Sequence, residues 1–133
     1  MAGLALLVVD AANVVGSRPD GWWRDRAGAA ARLVESLRQG VGEPYDITVV
    51  LEGAARKGVP PGDEAGLRVV HAANSGDDTI VDVVASAREA DAHREILVIT
   101  ADRELRRRVE EFDARTTGPS WLRERLDGTT PSA

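Results

Sequence analysis

Three apolar runs in this chain each end in an acid. Asp10 closes Leu4-Ala5-Leu6-Leu7-Val8-Val9, Glu52 follows Ile47-Thr48-Val49-Val50-Leu51, and Asp102 follows Ile96-Leu97-Val98-Ile99-Thr100-Ala101. Runs of this kind read as strands buried on both faces. In an open parallel sheet the carboxyl ends of the strands share one edge, and ligands bind in the crevice outside it. Acids far apart in sequence then meet in space. Clustered carboxylates repel one another and resist desolvation, so divalent cations are their natural counterweight. The pattern is that of a metal site built on a sheet.

A fourth acid comes from a helix start. Over residues 77–90, Ile80, Val84 and Ala87 mark a buried stripe; at about 100° per residue Asp77 falls close to it and Asp82 well away. Asp77 therefore joins Asp10, Glu52 and Asp102 as a ligand candidate. Asp78 lies between the two and is either a helix-start charge or an outer-shell partner, and Asp82 reads as solvated surface. Asn13, three residues after Asp10, either binds a metal-held water or a phosphate oxygen, or secures its own turn. Thr100 either orients a carboxylate or caps the next helix, and Ser75-Gly76 either approaches a backbone phosphate or forms a plain turn.

Basic residues flank these acids, in Arg56-Lys57 and in Arg103, Arg106, Arg107 and Arg108. Arginine suits bidentate contact with phosphate. It also supplies all but one of the 17 basic residues, so its abundance is compositional, and Arg106 to Arg108 read equally well as a solvated helix face. Trp22 and Trp23 are adjacent, and adjacent helical side chains point about 100° apart. One of them is expected to pack on the sheet while the other faces the loops; packing is favoured over stacking on RNA bases. Trp121 reads as structural.

The elements that must position these residues alternate. Strands are expected over 4–9, 46–51, 67–71 and 95–100, with a short extended piece over 114–116. Helices are expected over 22–38, 77–90, 103–111 and 120–126, and a Gly- and Pro-rich loop over 53–66. Such alternation calls for an α/β sandwich whose right-handed crossovers put helices on both faces of the sheet. Residues 1–127 read as one domain and 128–133 as a short flexible tail.

Composition removes several alternatives. Cysteine is absent from the 133 residues, which excludes a disulfide framework, a thiolate metal site and a cysteine nucleophile. His71 and His93 show no ligand spacing, so zinc is not expected. There is no Gly-x-Ser-x-Gly, no phosphate-binding Gly-rich loop and no Gly-x-Gly-x-x-Gly. The only lysine, Lys57, does not follow the last strand, as a phosphorelay receiver would require. No signal peptide or membrane span is read, so a soluble cytoplasmic protein without a membrane partner is expected. The formal charge of -5 argues against a polyanionic partner only weakly, because most of that excess belongs to the four candidate carboxylates.

Five ordered blocks then resemble a known family. Asp10-x-x-Asn13-Val14-Val15-Gly16, Leu51-Glu52-Gly53-Ala54-Ala55-Arg56, Ser75-Gly76-Asp77-Asp78-Thr79-Ile80, Thr100-Ala101-Asp102 and Gly118-Pro119-Ser120-Trp121-Leu122 look like those of NYN domains. The closest type is the YacP-like branch of the PIN-like nuclease superfamily. The likeness spans nearly the whole chain, and Glu52 stands where the family usually has aspartate. The resemblance implies a PIN-like Rossmannoid: a three-layer sandwich with a mainly parallel sheet of about five strands in the order 3-2-1-4-5. It also implies metal-dependent endoribonuclease activity that leaves a 5′-phosphate and a 3′-hydroxyl. On that reading Asp10, Asp77 and Asp102 hold Mg²⁺ or Mn²⁺, Glu52 is a further ligand and Asp78 an additional candidate. Asn13 assists, and Arg56, Arg103 and Arg106, with Ser75 and Thr100, contact substrate. The implied partner is RNA, single-stranded or structured, with a ribosome or another protein as a candidate second partner. A module that binds RNA on the same fold without cutting it is the alternative.

Overall fold

The computed structural model describes residues 3–128. Its first strand, β1 (Leu6–Asp10), is buried at every position. Even a central strand needs neighbours, and β1 has two parallel ones: β2 (Asp46–Leu51) on one side and β5 (Ile96–Ile99) on the other. Outward from β2 lies β4 (Leu67–His71), and outward from β5 lies the short β6 (Arg115–Thr117), both parallel. These five strands stand in the expected order. A sixth, β3 (Gly62–Glu64), pairs antiparallel with β4 at the edge, so the sheet runs β3-β4-β2-β1-β5-β6.

β3 lies where a loop is expected from the Gly- and Pro-rich composition. The segment instead forms a 3-10 helix over Gly53–Gly58 and then a hairpin. Glu64 pairs with Leu67, leaving Ala65-Gly66 as a two-residue turn with φ of 48° and 84°. Positive φ at both central residues makes the turn whose twist matches a hairpin. Alanine is rare in that conformation, which is why composition does not reveal it.

Alternate residues of β1 feed two cores. Leu7 and Val9 pack with Val49, Leu51, Val69 and Ile99 against α1 (Ala11–Val15), α2 (Arg26–Arg38) and α5 (Pro119–Gly128). Leu6 and Val8 pack with Val50, Ile96 and Val98 against α3 (Gly76–Ala90) and α4 (Arg103–Glu110). Helices thus cover both faces. The helix expected over 22–38 is broken: Trp22–Arg24 is a 3-10 turn, and Asp25 caps α2 by accepting the Gly28 N–H at 2.9 Å. A side-chain acceptor at an N-cap satisfies an orphan donor and starts a new helix, whatever the periodicity upstream. The turn after β1 holds α1, which sequence periodicity does not show because five residues are too few to display it. Of the expected tail over 128–133, Gly128 ends α5 and the rest lies outside the described residues. Among the described residues no helix is long and apolar enough to cross a membrane.

Candidate active site

β1, β2, β4 and β5 are parallel, so their carboxyl ends open on one edge, and the four acids stand there. Asp10 is the last residue of β1 and Glu52 follows β2. Asp77 lies in the first turn of α3, which leaves β4 by the short connection 72–75, and Asp102 is the N-cap of α4 after β5.

Asp10 is the most enclosed, at 6% exposure. One carboxylate oxygen accepts the Thr100 hydroxyl at 2.9 Å and the other accepts the Asn13 N–H at 3.3 Å. Burial nevertheless dominates and pushes its pKa up to about 6. The charges of Asp77 and Glu52 add to that rise, while the two hydrogen bonds oppose it. Asp77 is also raised, first by burial and then by Asp102 and Glu52, against the pull of Arg108. These mutual repulsions mark the acids as neighbours in one electrostatic field. Among the described residues, however, no three Asp, Glu or His side chains form a ready-made clasp for one ion. Convergence of Asp10, Asp77 and Asp102 as a preformed triad is therefore not what the fold provides.

Two of the acids also have structural work. Glu52 accepts the Gly76 N–H at 3.0 Å, tying the end of β2 to the start of α3. Asp102 caps α4 by accepting the Leu105 N–H at 3.0 Å. Asp78 pairs with Arg108 at 2.9 Å, bridging α3 and α4, so its carboxylate is committed outside the cluster. Asp82 is exposed, as its helical phase requires.

The supporting residues resolve differently from their sequence assignments. Thr100 is fully buried, so it does not touch a substrate. Its hydroxyl donates to Asp10 and accepts the Asp102 N–H at 3.1 Å, linking two acids through one oxygen. Asn13 turns its carbonyl oxygen to the Ala101 N–H at 2.8 Å, pinning the loop after β5 to the turn after β1. Ser75 is an N-cap that accepts the N–H groups of Asp77 and Asp78. Arg56 donates to the Gly53 and Ala72 carbonyls, and Arg106 donates to Thr100 O at 2.8 Å. Both guanidinium groups are thus held by backbone near the site. Arg103 is exposed beside Asp102, and its side chain makes no hydrogen bond or ion pair among the described residues. Sequence reasoning missed the role of Arg108; its signal was the i+5 spacing from Arg103, which sets it on another side of α4.

The mainly parallel α/β sheet of this order, with acids along its carboxyl edge, matches a PIN-like fold. Solved structures share it: Rae1 (YacP) from Bacillus subtilis aligns with a TM-score of 0.71 at 15% identity, covering 95% of this chain and 75% of that one. A mutant form of the same protein aligns with a TM-score of 0.76, also at 15% identity, covering 95% of this chain and 77% of that one. The YacP-like resemblance of the sequence blocks therefore has its counterpart in the fold. No family model and no curated protein sequence matches the chain.

Proposed function

We propose that this protein is a metal-dependent endoribonuclease. The observation that carries the reading is the gathering of Asp10, Glu52, Asp77 and Asp102 at one sheet edge, with Asp10 buried against the charge of its neighbours. A buried carboxylate among like charges is a destabilising arrangement, and such arrangements concentrate at functional sites. The donors are all oxygen, which suits Mg²⁺ or Mn²⁺. Mg²⁺ is usually held by only one or two carboxylates and keeps several waters. Asp10 and Asp77 would hold the ion, with Asp102 and Glu52 beside them. When bound, the ion supplies Lewis acidity that acidifies water and offsets charge on a phosphodiester. Thr100 fixes the orientation of Asp10, Asn13 fixes the loop carrying Asp102, and exposed Arg103 is free to meet a phosphate oxygen.

One observation favours a module that binds RNA without cutting it: Glu52 and Asp102 both spend oxygens on backbone N–H groups. Purified protein incubated with single-stranded and structured RNA in Mg²⁺ or Mn²⁺ separates the two. Cleavage that needs the metal and disappears in Asp10→Asn supports the nuclease. Binding without cleavage of any RNA supports the module, and metal-independent or variant-insensitive cleavage removes the catalytic assignment.

A further inference from the structure

Beside the four acids the edge opens into a cavity of about 370 Å³. Its lining includes Glu52 itself, and Ala11 and Ala12, which directly follow Asp10, so the cavity adjoins the Glu52 side of the acidic cluster. It also includes the half-buried indole of Trp22, and the Arg26 guanidinium lies over that ring, 5.0 Å from its centroid. Asn74 completes the set from the connection between β4 and α3. Among the described residues, neither the Arg26 nor the Asn74 side chain makes a hydrogen bond or an ion pair. An aromatic ring with a guanidinium over it and a carboxamide without a hydrogen bond thus line one partly apolar hollow.

We infer that this cavity receives one nucleobase of a single-stranded nucleic acid whose adjoining phosphate lies at the acidic edge. The inference rests on the nuclease reading for the identity of that strand. Bases stack on guanidinium planes as well as on aromatic ones, and Arg26, lying over Trp22, extends that ring as a stacking surface. A carboxamide presents a donor pair and an acceptor, the complement of a base edge. The volume is within the range of small-ligand sites. Trp22 also has a ring contact of its own: Trp23 meets it edge-on, with the centroids 6.1 Å apart. The expectation that one of the two tryptophans packs on the sheet is not met: Trp22 is only half-buried and lies outside both cores, and Trp23 is exposed, because the 3-10 turn before α2 carries both away from the sheet.

The test follows the indole and carboxamide NMR signals of Trp22 and Asn74, assigned with Trp22→Phe and Asn74→Ala. Single nucleoside monophosphates, a short oligoribonucleotide and its DNA counterpart are titrated into wild type in EDTA and into Asp10→Asn in Mg²⁺. The expected result is that an oligonucleotide shifts both signals, leaves Trp121 unmoved, and binds about tenfold more weakly to Arg26→Ala and to Trp22→Leu. Asn74 is exposed, so Asn74→Ala supplies a variant that folds even where Trp22→Leu does not. Fixed Trp22 and Asn74 signals in both proteins overturn the inference. So does a mononucleotide binding as tightly as the oligomers, which would make this a free-nucleotide site. Neither arm requires cleavage: an inactive protein that binds a base here loses only the nuclease reading, and an active one with fixed signals loses only the base site.

Discussion

Replacing Asp10 by asparagine should stabilise the fold at neutral pH and not at acid pH. Burial raises the Asp10 carboxyl from its ordinary 3.8 to about 6. The folded state therefore holds this proton more tightly than the unfolded chain does. The resulting stabilisation is complete below about pH 4 and is lost as pH rises through about 6. A shift of this size corresponds to roughly 3 kcal/mol at full ionisation. Asparagine removes the charge and retains an acceptor for the Asn13 N–H, while the Thr100 hydroxyl must re-aim. The net gain for Asp10→Asn should be about 2 kcal/mol at about pH 8, falling to nothing or a small loss at about pH 4. Asp77 is shifted in the same direction and contributes a slope of the same sign to both proteins. Urea unfolding followed by tryptophan fluorescence, in EDTA across this pH range, measures the difference. Adding Mg²⁺ should then stabilise wild type above about pH 6 and leave the variant nearly unchanged. A difference between the two proteins that stays constant with pH would refute the burial argument, because Asp10 would then titrate as an ordinary carboxylate.

Other perturbations separate site from scaffold. A Cβ on Gly76 would lie 3.0 Å from Glu52 Oε1 and 3.2 Å from its carboxyl carbon, so Gly76→Ala should push Glu52 off the Gly76 N–H. Because the displaced group is the end of a flexible side chain, stability should change by less than about 1 kcal/mol. RNA cleavage should fall about tenfold or more, and unchanged cleavage would show that the position of Glu52 is dispensable. Arg88 donates to the carbonyls of Asp91, Ala92, Arg94, Phe112 and Asp113, fastening the end of α3 to the α4–β6 turn on the side away from the acids. Arg88→Ala should lose roughly 2–4 kcal/mol in urea unfolding while cleavage per folded molecule persists, and a loss below about 0.5 kcal/mol would mean these bonds are replaced by water.

Much of this molecule is legible from local patterns. The runs ending in Asp10, Glu52 and Asp102 are long, β-branched and two-sided, so they specify buried parallel strands, and parallel strands put their carboxyl ends on one edge. Helical phase alone places Asp77 near the buried stripe and Asp82 in solvent. These readings depend only on residues close in sequence. What sequence does not determine is where a polar side chain spends its hydrogen bonds. Arg56 and Arg106 look like phosphate ligands by type and position, yet each is occupied by backbone carbonyls, Ala72 in the case of Arg56 and Thr100 in the case of Arg106. Glu52 meets the Gly76 N–H across 24 residues, and Thr100 meets Asp10 across 90. Burial likewise belongs to the assembled sheet: the same aspartate at the end of an exposed strand would titrate normally, and it is the packing on both sides of β1 that lifts Asp10 to about 6. Sequence determined which acids face one edge. Only the tertiary structure decided which of them are free, which are tied, and which one the interior holds near neutrality, because desolvation and hydrogen bonding are sums over neighbours that are distant in the chain.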